Sequence, residues 1–169
     1  APIGLYVRSR TPMDELWKPC RRIAVVGTRD ITPYGREWCV RTVAGLSRSK
    51  EKPVIVSGLA LGTDFCAHKA ALESGLATIG VMATGPETVY PHRHREFAER
   101  LCETPGCALV TDYPPGTAPL AVHFLRRNRI IAGLSDSTIL IESKIKGGGM
   151  MTCRLAFSYS RDVYALPGR

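Results

Sequence analysis

No apolar run in this 169-residue chain is long enough to span a bilayer, which excludes a membrane-crossing helix. No secretory leader is visible at its start, so a cytoplasmic location is expected. The six cysteines (Cys20, Cys39, Cys66, Cys102, Cys107, Cys153) are scattered, with no Cys-x-x-Cys pair, which argues against a disulfide framework and a zinc site. Reduced thiols, several of them buried as small hydrophobes, are expected. His92 and His94 lie two apart, and His68 precedes them, but no carboxylate or thiol completes a ligand set. No metal is expected. There is no G-x-G-x-x-G after the first apolar strand and no Walker lysine, so the ordinary dinucleotide and P-loop readings lose ground and no cofactor is expected. Aromatics make up only 7% of the chain, and acidic residues are scarce: 15 Asp plus Glu stand against 23 Lys plus Arg, a net charge of +8. A basic protein of this size favours a polyanionic partner where its arginines fall inside motifs.

What is present is a regular alternation. Val54–Ser57 reads as a buried strand and is followed by Gly58-Leu-Ala-Leu-Gly62-Thr63-Asp64 and an amphipathic helix through Ala67, Ala70, Ala71 and Leu72. A Gly-rich turn between strand and helix lets the backbone approach a ligand and turns N–H groups towards an anion. Further strands are predicted at Ile23–Val26, Ala77–Met82, Ala108–Val110, Thr138–Ile141 and Val163–Leu166, with an edge strand at Leu5–Val7. Helices are predicted from Thr32-Pro33 to Leu46, carrying Trp38, Val40, Val43, Ala44 and Leu46 inward, and over His92–Cys102, Leu120–Leu134 and Met150–Ser160. Strands and helices alternating at this spacing predict an α/β protein, a Rossmann-like doubly wound, mainly parallel sheet with helices on both faces. In such sheets ligands sit at the carboxyl ends of the strands. Three segments collect there: Gly27-Thr28-Arg29, Ser57 to Asp64, and Glu142 to Thr152.

Gly27-Thr28-Arg29 offers backbone amides, a hydroxyl and a guanidinium, a set suited to phosphate. Arg126, Arg127, Asn128 and Arg129 place three guanidiniums within one helical turn, where like charges destabilise a helix unless an anion neutralises them. Lys144 and Lys146 lie beside Gly147-Gly148-Gly149. Catalytic groupings are weaker. Asp64 and His68 are i and i+4, a spacing able to orient an imidazole, yet Asp64 reads equally as a first-turn carboxylate, and Glu142 as a base or an arginine partner. No enzyme follows from them.

These pieces, in order, resemble the Rossmann-like domain of the DNA-processing protein A (DprA/Smf) family. The matching residues are Val26-Gly-Thr-Arg29 with Tyr34-Gly35; Ser57-Gly-Leu-Ala-Leu-Gly-Thr-Asp64 with Ala67-His68; Thr84-Gly85 with Tyr90-Pro91; Phe124 with Arg127 to Leu134; Glu142; Gly147 to Thr152; and Ala165-Leu-Pro-Gly168. They span about residues 23 to 168. The resemblance implies a non-enzymatic protein that binds single-stranded DNA in a basic pocket, protects it during natural transformation and recombination, assists loading of a RecA-type recombinase, and forms homodimers. It further implies phosphate contacts by Gly27, Thr28 and Arg29 and by the turn holding Ser57, Gly58, Ala60, Gly62 and Thr63. Arg127, Asn128 and Arg129 would line or buttress the pocket, and Lys144, Gly147, Gly148, Gly149 and Thr152 would complete it.

This chain departs from the family pattern in places: Thr28 replaces a usual serine, Thr63 a usual isoleucine, and Gly147-Gly148 a usual Ser-Gly, while His94 falls near a usual asparagine. Residues 1–169 are expected to be one Rossmann-like domain with residues 1–22 as lead-in, without the helical SAM-like or winged-helix domains some members carry. Phe124, Tyr90 and Tyr113 are the candidate stacking surfaces for bases. The alternative is a nucleotide-processing enzyme resembling the phosphoribohydrolases, or a nucleotide sensor, on the same broad fold.

Overall fold

The computed structural model describes residues 1–168. It contains seven strands, β1 (Tyr6–Arg8), β2 (Arg22–Val26), β3 (Val54–Ser57), β4 (Thr78–Val81), β5 (Ala108–Thr111), β6 (Ser137–Leu140) and β7 (Asp162–Ala165). They form one sheet in the order β1-β5-β4-β3-β2-β6-β7. Every neighbouring pair is parallel except β1 with β5. The predicted mainly parallel α/β sheet is therefore present, and the first predicted edge strand lies antiparallel at its margin.

Six helices connect the strands: α1 (Met13–Leu16), α2 (Pro33–Leu46), α3 (Thr63–Glu73), α4 (Arg95–Glu103), α5 (Ala121–Leu134) and α6 (Gly148–Ser158). Because side chains alternate across a strand, Val25 and Ile55 pack under α2 and α3, whereas Ala24, Val26 and Val56 face Ile130 and Ile131 of α5 and Cys153 of α6. Leu109 of β5 lies on the first side, among Phe97, Leu101 and Cys102 of α4. Helices α2, α3 and α4 thus cover one face, and α5 and α6 the other. The helices change face on the return from β5 to β6, so the topological switch falls between neighbouring strands β2 and β6. Crevices for ligands form at that point, beyond the carboxyl ends of the strands.

Two expectations need correction here. On α2 the inward stripe is Gly35, Cys39 and Val43, with Leu46 partly buried, while Trp38 and Val40 are exposed. The stripe follows the helical spacing of four: Gly35 sits against Ile31 and Glu142 and Cys39 against Cys66 of α3, while Trp38 lies outside it, edge-on to Tyr34 and beneath Arg41. The helix predicted from His92 begins as a 3-10 turn at His92–His94 and becomes α-helical only at Arg95. Five of the six cysteines are buried and unpaired. Among the described residues no helix is long and apolar enough to cross a membrane, and no cluster of side chains is arranged for a metal ion.

Candidate nucleic-acid interface

A cavity of about 290 Å³ opens at the switch point. Its floor is the turn after β2, Gly27 to Asp30; one wall is Phe124, Leu125, Arg127, Asn128 and Ile131 of α5; the other is Ser143, Lys144 and the Gly147-Gly148-Gly149 start of α6, with Ala60 at the edge. Two glycines make this geometry. Gly149 sits directly on the β2 turn, where an added Cβ would come 3.0 Å from the Gly27 Cα. At Gly27 an added Cβ would meet Thr63 Oγ1 at 2.5 Å and the Glu142 carbonyl at 2.8 Å. The backbones of three elements meet with no room for a side chain.

The predicted basic residues divide sharply. Arg29 is exposed, with its guanidinium 5.6 Å from the Phe124 ring centroid. It has the freedom to meet an anion at the mouth of the cavity, and the ring face holds it there. Lys144 is exposed on the opposite wall. The N-terminus of α6 lines the same cavity, and no side chain caps it. Helix starts leave N–H groups without intrahelical acceptors, and the dipole favours negative charge there.

Arg127, by contrast, is only 5% exposed. Its Nη1 donates to the carbonyls of Gly58 (2.7 Å) and Val81 (2.9 Å), which satisfies the carboxyl ends of β3 and β4. Its Nε donates to Asn128 Oδ1 at 3.3 Å, and Asn128 is itself buried beside Gly148. These two buttress the cavity. Arg129 is outside it: it pairs with Asp112 and lines a different, more apolar groove with Leu5, Leu134 and Tyr159. The arginine cluster on α5 is relieved by spreading its charges in three directions, with Arg126 left exposed.

The turn Ser57 to Thr63 is not a free set of amides. Ser57 Oγ donates to the Val25 carbonyl (2.7 Å), Gly58 N donates to Asp64 Oδ2 (3.1 Å), and Leu59 N donates to His68 Nε2 (3.2 Å). Thr63 donates twice to the Thr28 carbonyl, from its N at 3.0 Å and its Oγ1 at 3.1 Å. Gly62 has a φ of 77°, and an added Cβ would lie 2.3 Å from the Arg29 carbonyl oxygen. Of this turn only Ala60 borders the cavity; the rest is a platform under Thr28 and Arg29. Thr28 N donates to the Glu142 carbonyl (2.7 Å), and Thr152 Oγ1 to the Gly148 carbonyl (3.1 Å), so neither group presents a free donor.

The Asp64–His68 pair is not formed, and both Glu142 carboxylate oxygens are hydrogen-bonded within the fold. Asp64 is buried and accepts from Gly58, not from His68. Burial pushes its carboxyl up, opposed by the Arg127 charge and by backbone hydrogen bonds from Gly58 and Ala60. His68 bonds Leu59 and Thr78 instead. The Glu142 carboxylate accepts from Thr32 N (2.9 Å) and Thr32 Oγ1 (2.8 Å), which anchors the start of α2. Among the described residues it forms no ion pair with an arginine. Tyr90 meets Phe124 at 5.1 Å between centroids and is half exposed, while Tyr113 packs on His123 at 4.3 Å. Sequence reasoning gave no role to His94, whose Nδ1 bonds the Leu59 carbonyl at 2.7 Å, nor to Asp112. A histidine between Pro91 and Phe97 carries no signal of a partner 35 residues away.

The whole chain, residues 1–169, matches the model of the DNA recombination-mediator protein A family. The chain belongs to that family. It is 38% identical over 168 residues to DNA processing protein DprA of Streptococcus pneumoniae, an alignment covering 99% of this chain and 56% of that protein. Protein Smf of Escherichia coli is 42% identical over 147 residues, 87% of this chain and 38% of its own length. The chain thus spans about half the length of the relatives it matches. The solved structure of S. pneumoniae DprA superposes with a TM-score of 0.87 at 37% identity, covering 98% of this chain and 55% of that one. That of Helicobacter pylori DNA processing protein A, described for its unique single-stranded DNA binding mode, gives 0.86 at 30% identity over 99% and 74%. A molybdenum cofactor binding protein of Rippkaea orientalis shares the fold alone, with a TM-score of 0.62 at 18% identity over 89% and 78% of the two chains.

Proposed function

We propose that this chain is a single Rossmann-like domain that binds single-stranded DNA in the cavity between β2 and β6. Its role is in DNA processing, natural transformation and recombination: it protects the strand and assists a RecA-type recombinase to load. It acts in the cytoplasm as a homodimer and without catalysis. The observation that carries this reading is Arg29, exposed over Phe124 and lining one cavity with Lys144 and the uncapped start of α6. Guanidinium, ammonium and helix N-terminus line one cavity, a set of groups suited to a backbone phosphate. The DNA-binding description of the H. pylori relative supports the ligand class. The hydrogen bonds that tie the Glu142 carboxylate to Thr32 support a structural role for it over the phosphoribohydrolase-like alternative.

The test compares labelled oligo-dT, a duplex of equal length and a mononucleotide, for the wild-type chain and Lys144→Ala. Tighter binding of oligo-dT than of duplex, weakened in the variant, is expected. Equal binding of duplex and single strand, or a mononucleotide held more tightly than oligo-dT, would overturn it.

A further inference from the structure

Leu59 has a φ of 60° and is 1% exposed. A branched side chain in the left-handed region is strained and persists only where its surroundings over-determine it. Two histidines from separate elements do so. His68 Nε2 on α3 accepts from the Leu59 N–H at 3.2 Å, and His94 Nδ1 donates to the Leu59 carbonyl at 2.7 Å. Because Nε2 of His68 accepts, the ring proton sits on Nδ1, directed at Thr78 Oγ1 (2.7 Å), which in turn donates a hydrogen bond to the Ile55 carbonyl (2.8 Å). His94 is held in turn by stacking on Phe65, 4.1 Å between centroids and 9° from parallel. Three and four residues beyond Leu59, Gly62 and Thr63 press and bond against the Thr28–Arg29 backbone.

We propose that His68 is a positioning residue for the DNA grip: with His94 it locks Leu59 left-handed and thereby seats the turn that aims Arg29. The proposal rests on the reading that Arg29 holds DNA. Both histidines approach from the α3 and α4 side of the sheet, while the cavity wall is built by α5 and α6. The grip is thus set from the layer behind it.

Three measurements decide it. In the ¹⁵N-labelled wild-type chain at neutral pH, the imidazole shifts of His68 should show the Nδ1–H tautomer; an Nε2–H ring would overturn the clamp without reference to DNA. Arg29→Ala should weaken oligo-dT binding by roughly tenfold or more, the size of a lost charge-assisted contact. His68→Leu, which fills the site but accepts nothing, should weaken binding comparably, and the double variant should bind no worse than Arg29→Ala. His68→Gln, which keeps an acceptor, should retain most of the affinity. His94→Phe, which keeps the stack on Phe65 and drops the carbonyl bond, provides the same reading should His68→Leu not fold. Wild-type binding by the folded histidine variants, or losses that multiply with that of Arg29→Ala, would overturn the proposal. Wild-type binding by Arg29→Ala would overturn the DNA reading on which it rests.

Discussion

Arg127 reaches two strand-end carbonyls and lies almost wholly out of water, while Arg29 reaches over a ring into solvent. Their substitutions should therefore separate stability from binding. Arg127→Ala leaves the Gly58 and Val81 carbonyls unpaired, at about 1–3 kcal/mol for each buried group. Its urea midpoint should fall sharply, whereas Arg29→Ala, at an exposed site, should unfold within about 0.5 kcal/mol of wild type. Equal midpoints for the two variants would contradict the division. His68 gives a pH-dependent case. Burial, aided by His94 and Arg127, lowers its pKa from 6.5 to about 3. The folded value lies below the unfolded one, so above pH 6.5 neither state takes the proton and stability is complete. As pH falls from 6.5 towards 3, the unfolded chain binds a proton that the folded chain refuses, at a slope approaching about 1.4 kcal/mol per pH unit. Urea unfolding at pH 7 and pH 5 should show a larger drop for wild type than for His68→Gln; equal drops would count against a neutral buried ring.

Elements meet at this site through backbone contacts, and their substitutions act by distance. Thr32 caps α2 by accepting from Gly35 N at 3.1 Å and ties the helix to β6 through the Glu142 carboxylate. Thr32→Ala should cost about 1 kcal/mol, read by chemical denaturation. Gly149→Ala places a methyl 3.0 Å from the Gly27 Cα and pushes α6 off the β2 turn. Such overpacking costs about 1–3 kcal/mol and, with the helix start part of the proposed grip, should weaken oligo-dT binding in parallel. Unchanged affinity in a destabilised Gly149→Ala chain would mean that the α6 N-terminus does not touch DNA. Much of this was legible in sequence at the level of the element: apolar runs of about four residues, closed by Gly or polar turns, located the parallel strands, and Pro33 marked the start of α2. The one-turn helix α1 escaped notice because four residues carry no period. The inward face of α2 does not follow side-chain bulk: Gly35 fits against Ile31 and Glu142 and Cys39 against Cys66 of α3, while Trp38 and Val40 stay exposed.

At the scale of the molecule, topology decides which of the predicted site residues meet. Spacing along the chain brought Gly27 to Arg29, Lys144 and Gly147 to Gly149 to one end of a parallel sheet, and the change of helix face between β5 and β6 made that end a cavity. Sequence pattern does not reveal which way a residue on α5 points, so Arg127, Asn128 and Arg129 looked alike although two are buried buttresses and the third pairs with Asp112 beside a separate groove. Nor does it reveal that the donors of the Ser57 to Thr63 turn are taken up inside the protein, since their partners lie on other strands and helices. The net charge of +8 gives a long-range attraction for any polyanion, whereas the proposed local grip rests on few cations. That difference is measurable as a salt slope. Binding of labelled oligo-dT by fluorescence anisotropy, across a salt series, should be run on the wild-type chain, Arg29→Ala and Arg129→Ala. We expect Arg29→Ala to bind more weakly and to lower the logarithmic salt slope by about 1, and Arg129→Ala to match wild type. An Arg29→Ala chain with unchanged affinity and slope, or an Arg129→Ala chain that loses as much, would contradict a DNA site between β2 and β6.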